Sequence, residues 1–167
     1  MNILITGGRI VDPKNGIDQI DNLFVQEGKV AALGKSNQTS KTEKTIDARG
    51  LVVCPGLIDL QARLREPGEE HKATFNSELL AAVAGGITTL CCPPDTNPVI
   101  DTPAMAQMIR QRADEIGLSR VLPIGGLTKH LNGEHLTDMA ALNEAGCIAV
   151  GNAERVVDNT LVMRRAM

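Results

Sequence analysis

The chain has 167 residues, 43% hydrophobic and 22% charged, enough to bury one sizeable core. Seventeen Lys and Arg against twenty Asp and Glu give a net charge of −3, and the basic residues form no run; a nucleic-acid partner or an anionic membrane surface is therefore not expected. Two Phe, no Tyr and no Trp exclude an aromatic platform for stacking single-stranded bases.

The apolar stretches are too short to span a bilayer. The opening Met1-Asn2-Ile3-Leu4-Ile5 has no charged leader ahead of an apolar core, so a cytoplasmic protein is expected. Short β-rich runs follow one another up to Pro55: Ile3 to Thr6, Arg9 to Val11, Leu23 to Gln26, Val30 to Leu33 and Leu51 to Cys54. Asp12-Pro13, Asn15-Gly16 and Glu27-Gly28-Lys29 supply turns between them. Gly7-Gly8 lacks the later glycines and the Lys-Ser/Thr of a phosphate loop, which argues against nucleotide binding. Lys35 to Lys44 holds no apolar residue and reads as an exposed loop. Residues 1–55 are thus expected to form a small antiparallel β unit. The four cysteines (Cys54, Cys91, Cys92, Cys147) form no Cys-x-x-Cys pair and sit within apolar runs, the pattern of buried reduced thiols.

From residue 56 to 167 the rhythm becomes strand then helix. Strands are expected to begin near Leu57, Thr88, Val121 and Ile148, a period near 30 that matches one β-α unit. One helix runs through Leu79, Leu80 and Val83 to Gly85-Gly86. A second is opened by Asp101-Thr102-Pro103, carries Met105, Met108, Ile109, Arg112 and Ile116 on one face, and closes at Gly117. A third runs through Leu136, Met139, Ala140 and Asn143 to Gly146, and Asp158 is expected to cap a last helix over 159–167. These units predict a parallel sheet. An eight-fold barrel needs ~250 residues, so the chain reads as the first part of a longer protein, with an open doubly wound sheet as the alternative.

Pro55-Gly56-Leu57-Ile58-Asp59-Leu60-Gln61-Ala62-Arg63-Leu64-Arg65-Glu66-Pro67-Gly68 resembles the signature of the dihydroorotases, within the amidohydrolase superfamily. That signature reads Pro-Gly-(apolar)-Ile-Asp-x-His-x-His-Leu-Arg-Glu-Pro-Gly. The likeness continues through Glu70-His71-Lys72, Ala84-Gly85-Gly86-Ile87-Thr88-Thr89, Pro94-Asp95-Thr96-Asn97-Pro98, Leu122-Pro123-Ile124-Gly125 and Leu127-Thr128-Lys129. It implies an α/β fold: an N-terminal part of a β-sandwich followed by the first four β-α units of a (β/α)₈ TIM-like barrel.

In the family, the two signature histidines aim imidazoles at a zinc ion that makes hydroxide available near neutral pH. Here those positions are Gln61 and Arg63. Gln is a poor Zn²⁺ ligand, and Arg has no free lone pair. At ~4 Å and an effective dielectric of 20, unit charges repel by about 4 kcal/mol, and a dication doubles that. Arg63 is therefore read as a replacement for the metal's charge, to be held by Asp59, Asp95 or Glu66. The family pattern Ala-Phe-Ser-Asp-Asp-Gly-Arg, whose first Asp ligates metal, aligns with Ala149 to Arg155 and places Asn152 at the ligand. Arg65 matches the arginine that grips the substrate carboxylate, and Asp95 stands where the family has a substrate-holding Asn. Gln61, Arg63 and Asn152 are thus degenerate metal positions, and Arg65 and Asp95 are substrate-site-like. No catalytic residue, metal or other cofactor is expected.

The resemblance further implies a non-catalytic homologue in pyrimidine synthesis, a scaffold or assembly partner of aspartate carbamoyltransferase or a homo-oligomer. The alternative is an active dihydroorotase or related cyclic-amide hydrolase with unusual ligands, in which Asp59, Glu66 or Asp95 would be the candidate base. Asp59 shares the strand parity of Gln61 and Arg63 and reads more simply as a structural carboxylate pairing Arg63 or a backbone amide. His71, His130 and His135 show neither the i, i+2 nor the i, i+4 spacing of a ligand pair, and read as exposed or loop-capping residues.

Overall fold

The computed structural model describes residues 1–34 and 42–167, and the chain divides into two compact units, Met1–Pro55 and Gly56–Met167. The loop expected over Lys35 to Lys44 lies outside the described residues for 35–41, and its last residue opens a strand.

In the first unit β1 (Asn2–Asp12), β2 (Ile17–Gln26) and β3 (Lys29–Leu33) pair antiparallel. The runs Ile3 to Thr6 and Arg9 to Val11 are one strand. Its register against β2 shifts between Ile5 and Gly8, where Gly7 sits at φ +68° and donates its N–H to Asn22 Oδ1 at 3.1 Å. The glycine pair therefore serves a β-bulge. β4 (Lys44–Asp47) and β5 (Val52–Val53) correct the purely antiparallel expectation, because both pair parallel to β1. β2 already occupies one edge of β1, so later strands join at the other. β4 escaped notice because Ile46 is its one apolar residue, too few to show alternation. Ile10 and Phe24 are buried, while the sheet bounds an open cavity of about 550 Å³ lined by Ile5, Ile17, Leu23, Val30 and Leu33. Cys54 also lines that cavity and is exposed, contrary to the expected buried thiol.

The second unit alternates β6 (Leu57–Asp59), α1 (Phe75–Ala84), β7 (Ile87–Cys92), α2 (Pro103–Ile116), β8 (Arg120–Gly126), α3 (Met139–Glu144) and β9 (Ala149–Gly151), and ends in α4 (Thr160–Ala166). The strands are all parallel, in the order β6-β7-β8-β9. Each crossover is expected to be right-handed, and the order never reverses, so successive helices fall on the same face. A doubly wound sheet requires a reversal. The unit is accordingly the first half of a (β/α)₈ barrel, and every strand's C-terminal end lies on one rim, here called the mouth.

Local chemistry sets the helix ends. Thr74 and Ser77 form a capping box on α1. Thr102 accepts from the Met105 N–H, Pro103 follows, and Gly117 closes α2, as the sequence implies. The buried face of α2 is Ala106, Ile109 and Ala113, whereas Met108 and Arg112 face outward, since small alanines let the helix approach closely. α3 is shorter than expected: Asp138 caps it through the Ala141 N–H, and Leu136 forms an isolated bridge with Thr128. Asn159, not Asp158, caps α4, its Oδ1 accepting from the Leu161 and Val162 N–H groups.

The core gathers Leu64, Phe75, Leu79, Leu90, Ile100 and Ile109 with Cys92 and Cys147. Burial pushes the Cys92 thiol up to about 12 and also raises Cys91 and Cys147. These thiols stay protonated at neutral pH, and the thiol is a poor nucleophile. Iodoacetamide is therefore expected to leave all three unmodified in native full-length protein and to label them on denaturation, as read by peptide mass spectrometry. Native labelling of Cys92 at the denatured rate would contradict this.

Candidate functional site

The mouth is built from the segments that follow the strands. β6 ends at Asp59, whose Oδ1 accepts from the Gln61 N–H at 2.9 Å, an Asx turn that stops the strand early. Gln61 and Arg63 therefore lie beyond the strand, although the Ala62 N–H still reaches the Cys91 carbonyl at 2.9 Å. Of the two structural roles offered for Asp59, the backbone amide is the one observed.

Arg63 has its Nε 2.7 Å from Asp95 Oδ2 and its Nη2 2.8 Å from Glu154 Oε1. Its side chain is only 27% exposed and that of Asp95 only 29%, so solvent screens this pair incompletely, whereas Glu154 is 79% exposed. The hydrogen bond and charge of Asp95, followed by Glu154, raise the guanidinium pKa further above its ordinary value. Deprotonation is thus irrelevant near neutral pH. One cation consequently joins the segments after β6, β7 and β9.

Of the three acids expected to hold Arg63, only Asp95 does so. Glu66 points elsewhere: its Oε2 accepts from the Phe75 N–H at 2.8 Å, and its Oε1 lies 3.4 Å from Arg112 Nε. It ties the loop to the start of α1 and to α2. Glu154, 91 positions from Arg63 in the chain, was missed. The available signal was an acid appearing two residues after Asn152, at the glycine of the family pattern.

Arg65 adopts φ +65° and donates from Nη1 to Glu69 Oε2 at 2.8 Å. Glu69 also takes Lys72 Nζ, and Lys72 first, then Arg65, hold its carboxyl below the usual range. Asp95 thus does not engage Arg65, whose charge is met within its own loop. Arg63, Arg65 and Asp95 surround one cavity of about 10 Å³ together with Leu64, Cys92 and Thr96. That is room for roughly one water molecule. Gln61 and Asn152 do not line it; Gln61 lines a second, open cavity of about 370 Å³ together with Asp59, Arg63, Leu64 and Glu78, so Arg63 borders both.

Asn152 is committed elsewhere. Its Oδ1 accepts the Thr128 hydroxyl at 2.7 Å, and its Nδ2 donates to the carbonyls of Leu131 at 3.3 Å and Arg155 at 3.2 Å. Thr128, fully buried, also accepts the Gly133 N–H at 3.0 Å. The three histidines stay outside this mouth network. His130 is 82% exposed, with Nδ1 3.5 Å from Asp101 Oδ2, and His71 and His135 are exposed.

A zinc ion does not fit these residues. Arg63 offers no lone pair and carries the wrong charge, the Asn152 oxygen is already bonded to Thr128, and Gln61, which shares a cavity with Arg63, is a poor zinc ligand. Among the described residues no three His, Cys, Asp or Glu side chains converge as a metal site. Nor is any described helix long and apolar enough to cross a membrane.

Residues 50–167 match the family model described as dihydro-orotase-like. Over all 167 residues the chain is 47% identical to a dihydroorotase-like protein of Pseudomonas putida and 45% identical to a dihydroorotase of Trichlorobacter lovleyi, covering 39% of each. The chain therefore spans about two fifths of the length of these curated relatives. Among solved structures, the L-hydantoinase (dihydropyrimidinase) of Arthrobacter aurescens superposes with a TM-score of 0.74 at 23% identity, over 89% of this chain and 32% of that one. This likeness concerns the fold.

Proposed function

The chain belongs to the dihydroorotase-like family, and on that premise we propose that the full-length protein is a non-catalytic dihydroorotase homologue serving pyrimidine biosynthesis. It acts as a scaffold or assembly partner of aspartate carbamoyltransferase, alone or as a homo-oligomer. The observation that carries the loss of catalysis is Arg63, held by Asp95 and Glu154 at the position where the family signature has a metal-binding histidine. A guanidinium there neither ligates zinc nor activates water, and Arg65, which would grip a substrate carboxylate, is paired with Glu69 beside a cavity of about 10 Å³. The transferase partner is supported by the family resemblance. The competing reading, an active cyclic-amide hydrolase, draws on the relative named dihydroorotase at 45% identity.

Zinc content and dihydroorotate hydrolysis measured on full-length protein separate the two. Stoichiometric zinc with turnover overturns the proposal. Co-purification with aspartate carbamoyltransferase supports the partner, and two proteins that migrate independently at assay concentrations remove it. The double variant Gln61→His/Arg63→His is expected to remain inactive, because Asn152 and Asp95 are unchanged. Turnover restored by those two substitutions would show that the remaining differences are not disabling.

A further inference from the structure

The mouth residues do not fit a metal, yet the mouth keeps a defined shape. Two polar networks meet in the four residues after β9. Asn152 accepts a backbone bond from the Arg155 N–H at 3.0 Å, and Ala153 between them is left-handed at φ +50°. On one side of this turn, Glu154 holds Arg63, and through it Asp95, from the segments after β6 and β7. On the other, the Asn152 amide holds Thr128 and the Leu131 carbonyl from the segment after β8. That segment needs holding: His130 and Leu131 both have positive φ, at 54° and 59°.

We infer that the turn Asn152–Arg155 is a metal-independent clip that fastens the ends of all four strands of the half-barrel. The identity of residue 152 decides it. An amide supplies one acceptor for Thr128 and donors for two carbonyls. A carboxylate would place an oxygen against Leu131 O and Arg155 O, where repulsion replaces two hydrogen bonds. In this geometry a metal-ligating aspartate and the clip exclude one another. The mouth holds its own chain through these bonds, and this does not depend on whether the protein turns anything over.

Amide hydrogen exchange on the full-length protein tests the clip. The Gly133 N–H, bonded to Thr128 Oγ1, is the reporter. Asn152→Asp is expected to speed its exchange about tenfold or more, with a smaller rise at residues 130–132. Thr128→Val should do the same from the other partner, whereas Thr128→Ser, which keeps the hydroxyl, should preserve protection. The combined Gln61→His/Arg63→His/Asn152→Asp variant should lose that protection too, whether or not it takes up zinc. Unchanged Gly133 exchange in Asn152→Asp overturns the clip, whatever Thr128→Val does, because Thr128 is the direct acceptor of the reporter N–H. Exchange is measured without substrate, so failure of the clip and discovery of hydrolysis are separate results.

Discussion

Phe75→Ala is expected to cost the second unit about 3–5 kcal/mol, read as a fall in the denaturant midpoint of the full-length protein. Phe75 is fully buried and packs in the cluster of Leu64, Leu79, Leu90, Cys92, Ile100 and Ile109. It is also the first residue of α1, and its N–H is bonded to Glu66. The substitution removes the ring but leaves that backbone bond intact, so the loss reports packing alone. Alanine leaves a cavity that α1 can close only by moving away from β7, and closely packed interiors relax incompletely. Leu80→Ala on the same helix is the control: Leu80 is 52% exposed, and its truncation should change stability by no more than about 0.5 kcal/mol. Equal effects from the two substitutions would show that the core is not centred on Phe75.

The two phenylalanines illustrate what was legible in the sequence and what was not. Their scarcity excludes a stacking platform, yet each compact unit buries one, Phe24 in the first and Phe75 in the second. A single aromatic carries no period, so no pattern assigns it to a core. Repeated features were readable for the opposite reason. The β-α spacing near 30 residues, and the Thr102-Pro103 start and Gly117 stop of α2, each express local physics that a short window contains. β4 was hidden because strand pairing rests on a partner elsewhere in the chain, and Lys44–Asp47 looks polar until β1 lies beside it.

The mouth divides in the same way. The substitutions at positions 61, 63 and 152 could be read against the family signature, and charge alone required a partner for Arg63. Which carboxylate answered was a question of three-dimensional proximity. Asp95 was one of three possibilities, while Glu154 comes from a turn whose direction depends on Ala153 at positive φ. Asn152 looked like a lost ligand, and only the positions of two backbone carbonyls give its amide a purpose. The mouth also keeps its charges in two nearly compensated groups. Arg63 with Asp95 and Glu154 has one acid in excess, and Arg65 and Lys72 with Glu69 have one base in excess. An incoming anion therefore meets arginines that already have partners. Acid weakens the second group: the lowered Glu69 carboxyl contributes its stabilisation above the ordinary carboxylate range and loses it as pH falls through the folded-state value.

Gly68→Ala tests how tightly the loops after β6 and β7 are joined. Gly68 lies at φ +102°, and a Cβ there would stand 2.5 Å from both the Cβ and the carbonyl oxygen of Asn97. The backbone cannot retreat freely, since the Asn97 N–H is bonded to the Pro67 carbonyl at 3.1 Å and the Gly68 N–H to Glu70 Oε1 at 2.9 Å. Unfavourable φ and overlap with main-chain atoms therefore act together, and the expected loss is about 2–5 kcal/mol. Gly50→Ala separates the two causes: Gly50 has φ +78° but nothing within 4 Å of the added carbon, so it should lose only about 1–2 kcal/mol. Denaturant midpoints of the two full-length variants give the comparison. If Gly68→Ala proves no worse than Gly50→Ala, Asn97 yields to the new methyl group, and the two loops are not the rigid pair that positions Asp95 against Arg63.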